Sequence, residues 1–176
     1  VREPLSIMEV EMIRRICVTP FDEALFEVFY STGCRVSEVA NMKISDIDFE
    51  NDQIKVYGKG KKERIVLLTA RAHLALREYL LTRTDDSPGL FVSKQGNHQA
   101  LGKCSLENRI KELGVNAGLN RTITCHVLRH TAITHWHDIY NIPIENIRQM
   151  SGHTKLETVQ IYLHSSLEKT KLLYQH

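Results

Sequence analysis

The sequence predicts an α+β fold, mainly helical, with a small three-stranded antiparallel sheet at one edge. Three observations predict it. Apolar residues recur at helical spacing through most of the chain, and two β-rich runs flank a glycine-containing turn across residues 53–68. Helix-start and helix-stop residues punctuate the remainder. The length, 176 residues, suits one domain able to bury a core without disulfide or metal staples.

Each element has its own signal. Ser6 and Glu9 have capping-box spacing after Pro4, and Met8, Met12, Ile13 and Ile16 recur at helical intervals, so a first helix is expected over about 7–17. Pro20 interrupts it. A second pattern, Ala24, Leu25, Val28 and Phe29, ends at Gly33, the residue type that most readily takes the left-handed conformation at a helix C-terminus. Val36, Val39 and Met42 restart a helical stripe with Arg35 and Glu38 on another face. The period then changes: Gln53–Tyr57 and Glu63–Leu68 read as strands joined by the Gly58–Lys62 turn, a hairpin. Residues 70–83 read as a helix, Gly89-Leu90-Phe91-Val92 as a short third strand, and helices are expected at about 104–118, 126–140, 143–150 and 155–162. Thr154 and Glu157 form a second capping pair at the start of the last of these.

Composition excludes several classes. At 42% hydrophobic and 25% charged residues the chain is neither disordered nor low in complexity, and no apolar run approaches the roughly 20 residues of a membrane helix. The formal charge of +2 is too small to imply nucleic acid by itself, so any basic footprint must be local. Cys17, Cys34, Cys104 and Cys125 show neither zinc nor secreted-disulfide spacing, and the N-terminus does not resemble a signal peptide, so a cytoplasmic setting without membrane contact is expected. The chain starts at Val1 without an initiator Met, from which a fragment or a processed chain is expected.

Three clusters stand out. Lys55, Lys59, Lys61, Lys62 and Arg64 surround the hairpin turn against one acid, Glu63; this fits either a solvated turn or a surface lying along a phosphate backbone. In Cys125-His126-Val127-Leu128-Arg129-His130-Thr131, the spacing of His126 and Arg129 puts both on one helix face, where they suit gripping one anion. A zinc reading lacks its acid, since Val127 stands where H-E-x-x-H requires Glu, and a cysteine phosphatase would need Arg where Thr131 stands. The third cluster, Met150-Ser151-Gly152-His153-Thr154, is followed by Tyr162; the short helices around Gly152 also suit a helix-turn-helix DNA reader. No nucleotide loop, dinucleotide fingerprint or nucleophile elbow is present, nor an obvious set of clustered acids for magnesium.

In order, Gly33-Cys34-Arg35-Val36-Ser37-Glu38-Val39, Gly58-Lys59-Gly60-Lys61-Lys62-Glu63-Arg64, His126-Val127-Leu128-Arg129-His130-Thr131, Ser151-Gly152-His153 and Tyr162 resemble the catalytic domain of the tyrosine recombinases, the integrases and Xer-type resolving enzymes. The spacing suits the Xer and transposon-integrase branch. The resemblance implies one catalytic domain over residues 1–176, preceded in family members by a helical core-binding domain that this chain does not contain. It implies site-specific cleavage and rejoining of double-stranded DNA through a 3′-phosphotyrosyl link and a four-way junction, with no cofactor and no metal. Tyr162 is then the nucleophile, His126 the general base, Lys59 the acid for the departing 5′ oxygen, Arg35 and Arg129 the cations on the phosphate, and His153 a hydrogen-bond donor to it. Glu38 supports the site, and Lys55, Lys61, Lys62 and Arg64 contact DNA. The tail over 165–176 resembles the helix that packs into a neighbouring protomer of a tetramer, with directionality or DNA-bending proteins as further partners; folding back on its own domain is the alternative. Topoisomerase-like nicking and closing, or DNA binding without catalysis, are the rival functions.

Overall fold

Ser6 starts the first helix as its spacing predicts. Its hydroxyl accepts from the Glu9 N–H at 3.1 Å and the Glu9 carboxylate accepts from the Ser6 N–H at 3.0 Å. Two donors that a helix start would leave unpaired are thereby satisfied. The structure, a computed structural model, describes residues 3–153 and 175. The helix expected at 155–162, its Thr154–Glu157 capping pair, Tyr162 and nearly all of the 165–176 tail lie outside the described residues.

The first helix, α1, spans Ile7–Ile16. Pro20 begins the next one as well as separating the two: its missing N–H costs nothing at a first helical position, and Thr19 caps it by accepting from Asp22 N–H. This helix, α2 (Pro20–Thr32), is buried on almost every side. It packs against α4 (Ala70–Thr82) and α6 (Cys125–Asp138), which makes it the centre of the core. Gly33 ends α2 at φ 63°, and a Cβ there would lie 2.8 Å from Trp136 Cη2, so both conformation and space demand glycine. A short α3 (Val36–Ala40) follows at once.

The sheet is antiparallel in the order β1 (Ile47–Asp48), β2 (Gln53–Tyr57), β3 (Glu63–Leu67). Its register sets Ile54 opposite Val66 and Val56 opposite Arg64, so one face carries Ile54, Val56 and Val66 into the core and Arg64 along with them. A single turn of 3-10 helix over Lys59–Lys61 closes the hairpin. The third strand is not where the sequence places it. Ile47–Asp48 pairs with β2, whereas residues 89–92 make only isolated bridges, Lys43 with Gly89 and Val92 with Ala100. Leu90, Phe91 and Val92 are apolar because they are buried, not because they are paired in the sheet. Periodicity cannot separate the two in so short a run.

The other helices, α5 (Lys103–Asn116) and α7 (Ile144–Ser151), fall close to the expected ranges. The chain ahead of α1 is tied to α6. Leu5 N–H donates to Thr131 Oγ1 at 2.9 Å, and His135 Nε2 donates to the Leu5 carbonyl at 3.0 Å, which leaves Nδ1 to accept from the Tyr30 hydroxyl. Among the described residues no helix is long and apolar enough to cross a membrane.

Candidate active site

Arg129 is the buried centre of the site. It lies on α6, 3% exposed, donating from Nη1 to the Gly33 carbonyl at 2.7 Å and from Nη2 to the Ser151 carbonyl at 2.8 Å. Those two bonds join the end of α2 to the end of α7 through one planar cation. Burial first, then the charge of Arg35, pulls the guanidinium down to about 10, which leaves it a cation at neutral pH.

Beside it, the Glu38 carboxylate is buried and binds three donors. Arg64 forks onto both oxygens, with Nη2 to Oε1 at 3.1 Å, and the Arg35 N–H donates to Oε1 at 2.8 Å. Burial works against the charge of Glu38, but the Arg64 hydrogen bonds and the Arg35 amide outweigh it and hold the carboxyl below its ordinary range. The Arg35 side chain, 3.9 Å from Glu38 Oε1, stays 46% exposed at the mouth of the cleft.

His153 follows the left-handed Gly152 that ends α7. Its Nδ1 lies 2.7 Å from Ser151 Oγ and its Nε2 3.5 Å from Arg129 Nη2. Burial, then Arg129, Arg35 and Arg64, lower its pKa to about 4. Arg35, Lys59, Lys62, Arg64, Arg148 and His153 line a single cleft of about 1190 Å³, with Glu38 on its wall. Cations on three separate segments thus face one volume, an arrangement suited to an anion with several oxygens.

The remaining expected residues are placed differently. Lys55, Lys59, Lys61 and Lys62 are exposed on the hairpin. Arg64 is set apart from them, its side chain only 12% exposed and its guanidinium held by Glu38 and the Met150 carbonyl at 3.0 Å. His126 does not share the buried environment of Arg129. It is exposed at the second position of α6 and is not among the described residues lining the cleft. Tyr162 lies outside the described residues. The sequence reading included Gly33 and Ser151 in its motifs but gave no role to their carbonyls, which anchor Arg129; no side-chain pattern announces a backbone acceptor.

The model of the phage integrase family matches residues 6–169. The chain belongs to the phage integrase family. Tyrosine recombinase XerC of Chlamydia muridarum is 37% identical over 89% of this chain and 51% of its own length. A crystal structure of XerA recombinase superposes with a TM-score of 0.87 at 34% identity, covering 99% of this chain and 65% of that one. A XerH site-specific recombinase bound to its difH substrate in a pre-cleavage complex gives 0.78 at 26% identity, covering 99% and 55%. This phage integrase family chain therefore spans about half the length of the curated relatives it matches.

Proposed function

We propose that residues 1–176 form the catalytic domain of a site-specific DNA recombinase, which cleaves and rejoins strands through a 3′-phosphotyrosyl link at Tyr162 with neither metal nor ATP. The observation that carries this reading is the convergence of Arg35, Lys59 and His153 on one cleft, with the buried Arg129 directly behind it, 3.5 Å from His153 Nε2. In-line attack on a phosphodiester builds negative charge on its non-bridging oxygens, and preset cations in a partly dry cleft stabilise that charge without reorganising. The Tyr162 oxygen forms a bond to phosphorus as the bond to the 5′ oxygen breaks. The phenol proton passes to His126, and Lys59 protonates the leaving 5′ oxygen. His153 donates a hydrogen bond to the phosphate, and the phosphate's charge offsets the cations that depress this imidazole. Bond energy is kept in the phosphotyrosyl ester, so a 5′ hydroxyl from a partner strand completes exchange through a four-way junction.

Lys55, Lys61 and Lys62 serve as the DNA-facing cations of the hairpin. A helical core-binding domain on the N-terminal side grips the opposite face of the duplex, and four protomers work on two sites in the cytoplasm, with directionality or bending proteins as partners. An apolar pocket of about 670 Å³, lined by Tyr30, Leu67, Ala132, Trp136, Ile139 and Met150, also has Gln175 of this chain's own tail on its wall, so it suits the tail folding back on its own domain as well as exchange with a neighbouring protomer; Leu167, Leu172 and Leu173 need burial in either case. The test is incubation of the protein with a two-site supercoiled plasmid in EDTA. Recombinant product supports the reading, relaxation alone supports a nicking-closing enzyme, and retention without cutting supports a binding module.

A further inference from the structure

We propose that Arg64 is a positioning residue of the cleavage site: by forking onto Glu38 and donating to the Met150 carbonyl, it fixes the segments bearing Arg35, Lys59 and His153 relative to one another, and it does not contact DNA. The inference rests on the strand-cleavage reading above and deepens it.

Arg64 sits on β3, five residues after Lys59, on the face of the strand that also carries the buried Val66. Its three nitrogens serve three different segments. Nη1 and Nη2 bind the Glu38 carboxylate of α3, Nε donates to Met150 O of α7 at 3.0 Å, and Nη2 lies 3.9 Å from Cys34 Sγ just after Gly33. Glu38 in turn fixes Arg35 through the Arg35 amide. The end of α7 lies flush on the guanidinium: a Cβ at Gly152 would come within 3.1 Å of Arg64 Nη1 and 3.2 Å of its Cζ. Arg129 holds the next carbonyl, Ser151 O, so two guanidiniums grip successive carbonyls at a helix C-terminus, where the helix dipole favours cations. His153 is the second residue beyond Ser151 and takes its position from that grip. A lysine cannot substitute, because one ammonium does not reproduce a planar fork with a separate Nε donor.

Two variants test this: Arg64→Lys, which keeps the charge beside Glu38 but loses the fork, and Arg64→Gln with Glu38→Gln, which removes both charges and leaves neither buried alone. Each is measured for DNA affinity against salt, for single-turnover cleavage, and for titration of the His153 imidazole by NMR without DNA. We expect affinity within about twofold and an unchanged salt slope, since no phosphate contact is lost. Cleavage is expected to slow about 100-fold, the cost of a displacement of about 1 Å in a preset site. In Arg64→Lys, which keeps a charge near His153, its titration should move up by about one unit as the end of α7 leaves Arg129; in the double variant loss of the Arg64 charge raises it as well, so the Lys variant decides. A shallower salt slope with cleavage restored at low salt would make Arg64 a DNA contact and overturn the proposal. Wild-type titration of His153 in a variant that melts as a folded protein would overturn it equally. If the unaltered protein cuts no DNA, the recombinase reading falls, and the His153 titration alone still decides whether Arg64 positions this segment.

Discussion

Gly33→Ala joins the fold to the site in one change, and its cost is workable from the structure. Gly33 has φ 63°, where a residue with a Cβ is disfavoured by about 1–2 kcal/mol. The added methyl would stand 2.8 Å from Trp136 Cη2 and 3.2 Å from Cζ2, and Trp136 is 5% exposed, so the ring cannot swing into solvent. Overpacking of this kind costs about 1–3 kcal/mol. Together these give about 2–5 kcal/mol, which in a domain of this length lowers Tm by roughly 5–15 °C. Trp136→Phe removes the colliding ring atoms, so the double variant should recover the steric share but not the backbone share, a favourable coupling of about 1–3 kcal/mol in a double-mutant cycle. The assay is thermal melting of the four proteins. Cleavage should fall too, because the Gly33 carbonyl that accepts from Arg129 moves with the backbone. A Tm loss under about 2 °C, well short of the range worked above, would refute the packing argument, and so would additive effects of the two substitutions.

Lys59→Ala should slow cleavage of a normal 5′ oxygen but much less that of a 5′-phosphorothiolate, whose leaving group needs no proton; equal loss on both substrates would remove Lys59 as the acid. Acid should destabilise the DNA-free protein as pH falls from about 6.5 towards about 4. In that window the unfolded His153 binds a proton that the folded one refuses, and stability therefore rises with pH. His153→Gln should flatten that part of a Tm-against-pH profile, and an unchanged profile would contradict the placement of His153 among Arg129, Arg35 and Arg64. Lys61→Gln with Lys62→Gln should lower the slope of log affinity against log salt by about 0.9 per lost phosphate contact, measured by fluorescence anisotropy.

The helices were legible because their signals are local. The Ser6–Glu9 box, Thr19 with Pro20, and Gly33 each report a helix end through neighbours in sequence. The third strand was not: Ile47–Asp48 is two residues long and exists through pairing to β2, while the more apolar 89–92 run is buried without a ladder. In the site, Arg35, Lys59, Arg129 and His153 could be named from motif order, but their surroundings could not. Ile65 and Leu67 make the other face of β3 equally apolar, so alternation alone does not say which way Arg64 points. Only the register with Ile54 and Val56 turns it inward, onto a carboxylate 26 residues earlier. His126 and Arg129 share a helical spacing, yet one is exposed and the other buried, because helical phase gives relative direction and not depth.

The most direct test of the account is covalent capture of DNA by Tyr162. The protein is incubated with supercoiled plasmid at low salt in EDTA and stopped with SDS, and protein-linked DNA is digested and its peptide mapped by mass spectrometry, with Tyr162→Phe alongside. The expected result is a 3′-phosphate on the peptide containing Tyr162, absent from the Phe variant while that variant still binds DNA. An adduct that persists in Tyr162→Phe, or that maps to another residue, would contradict the account.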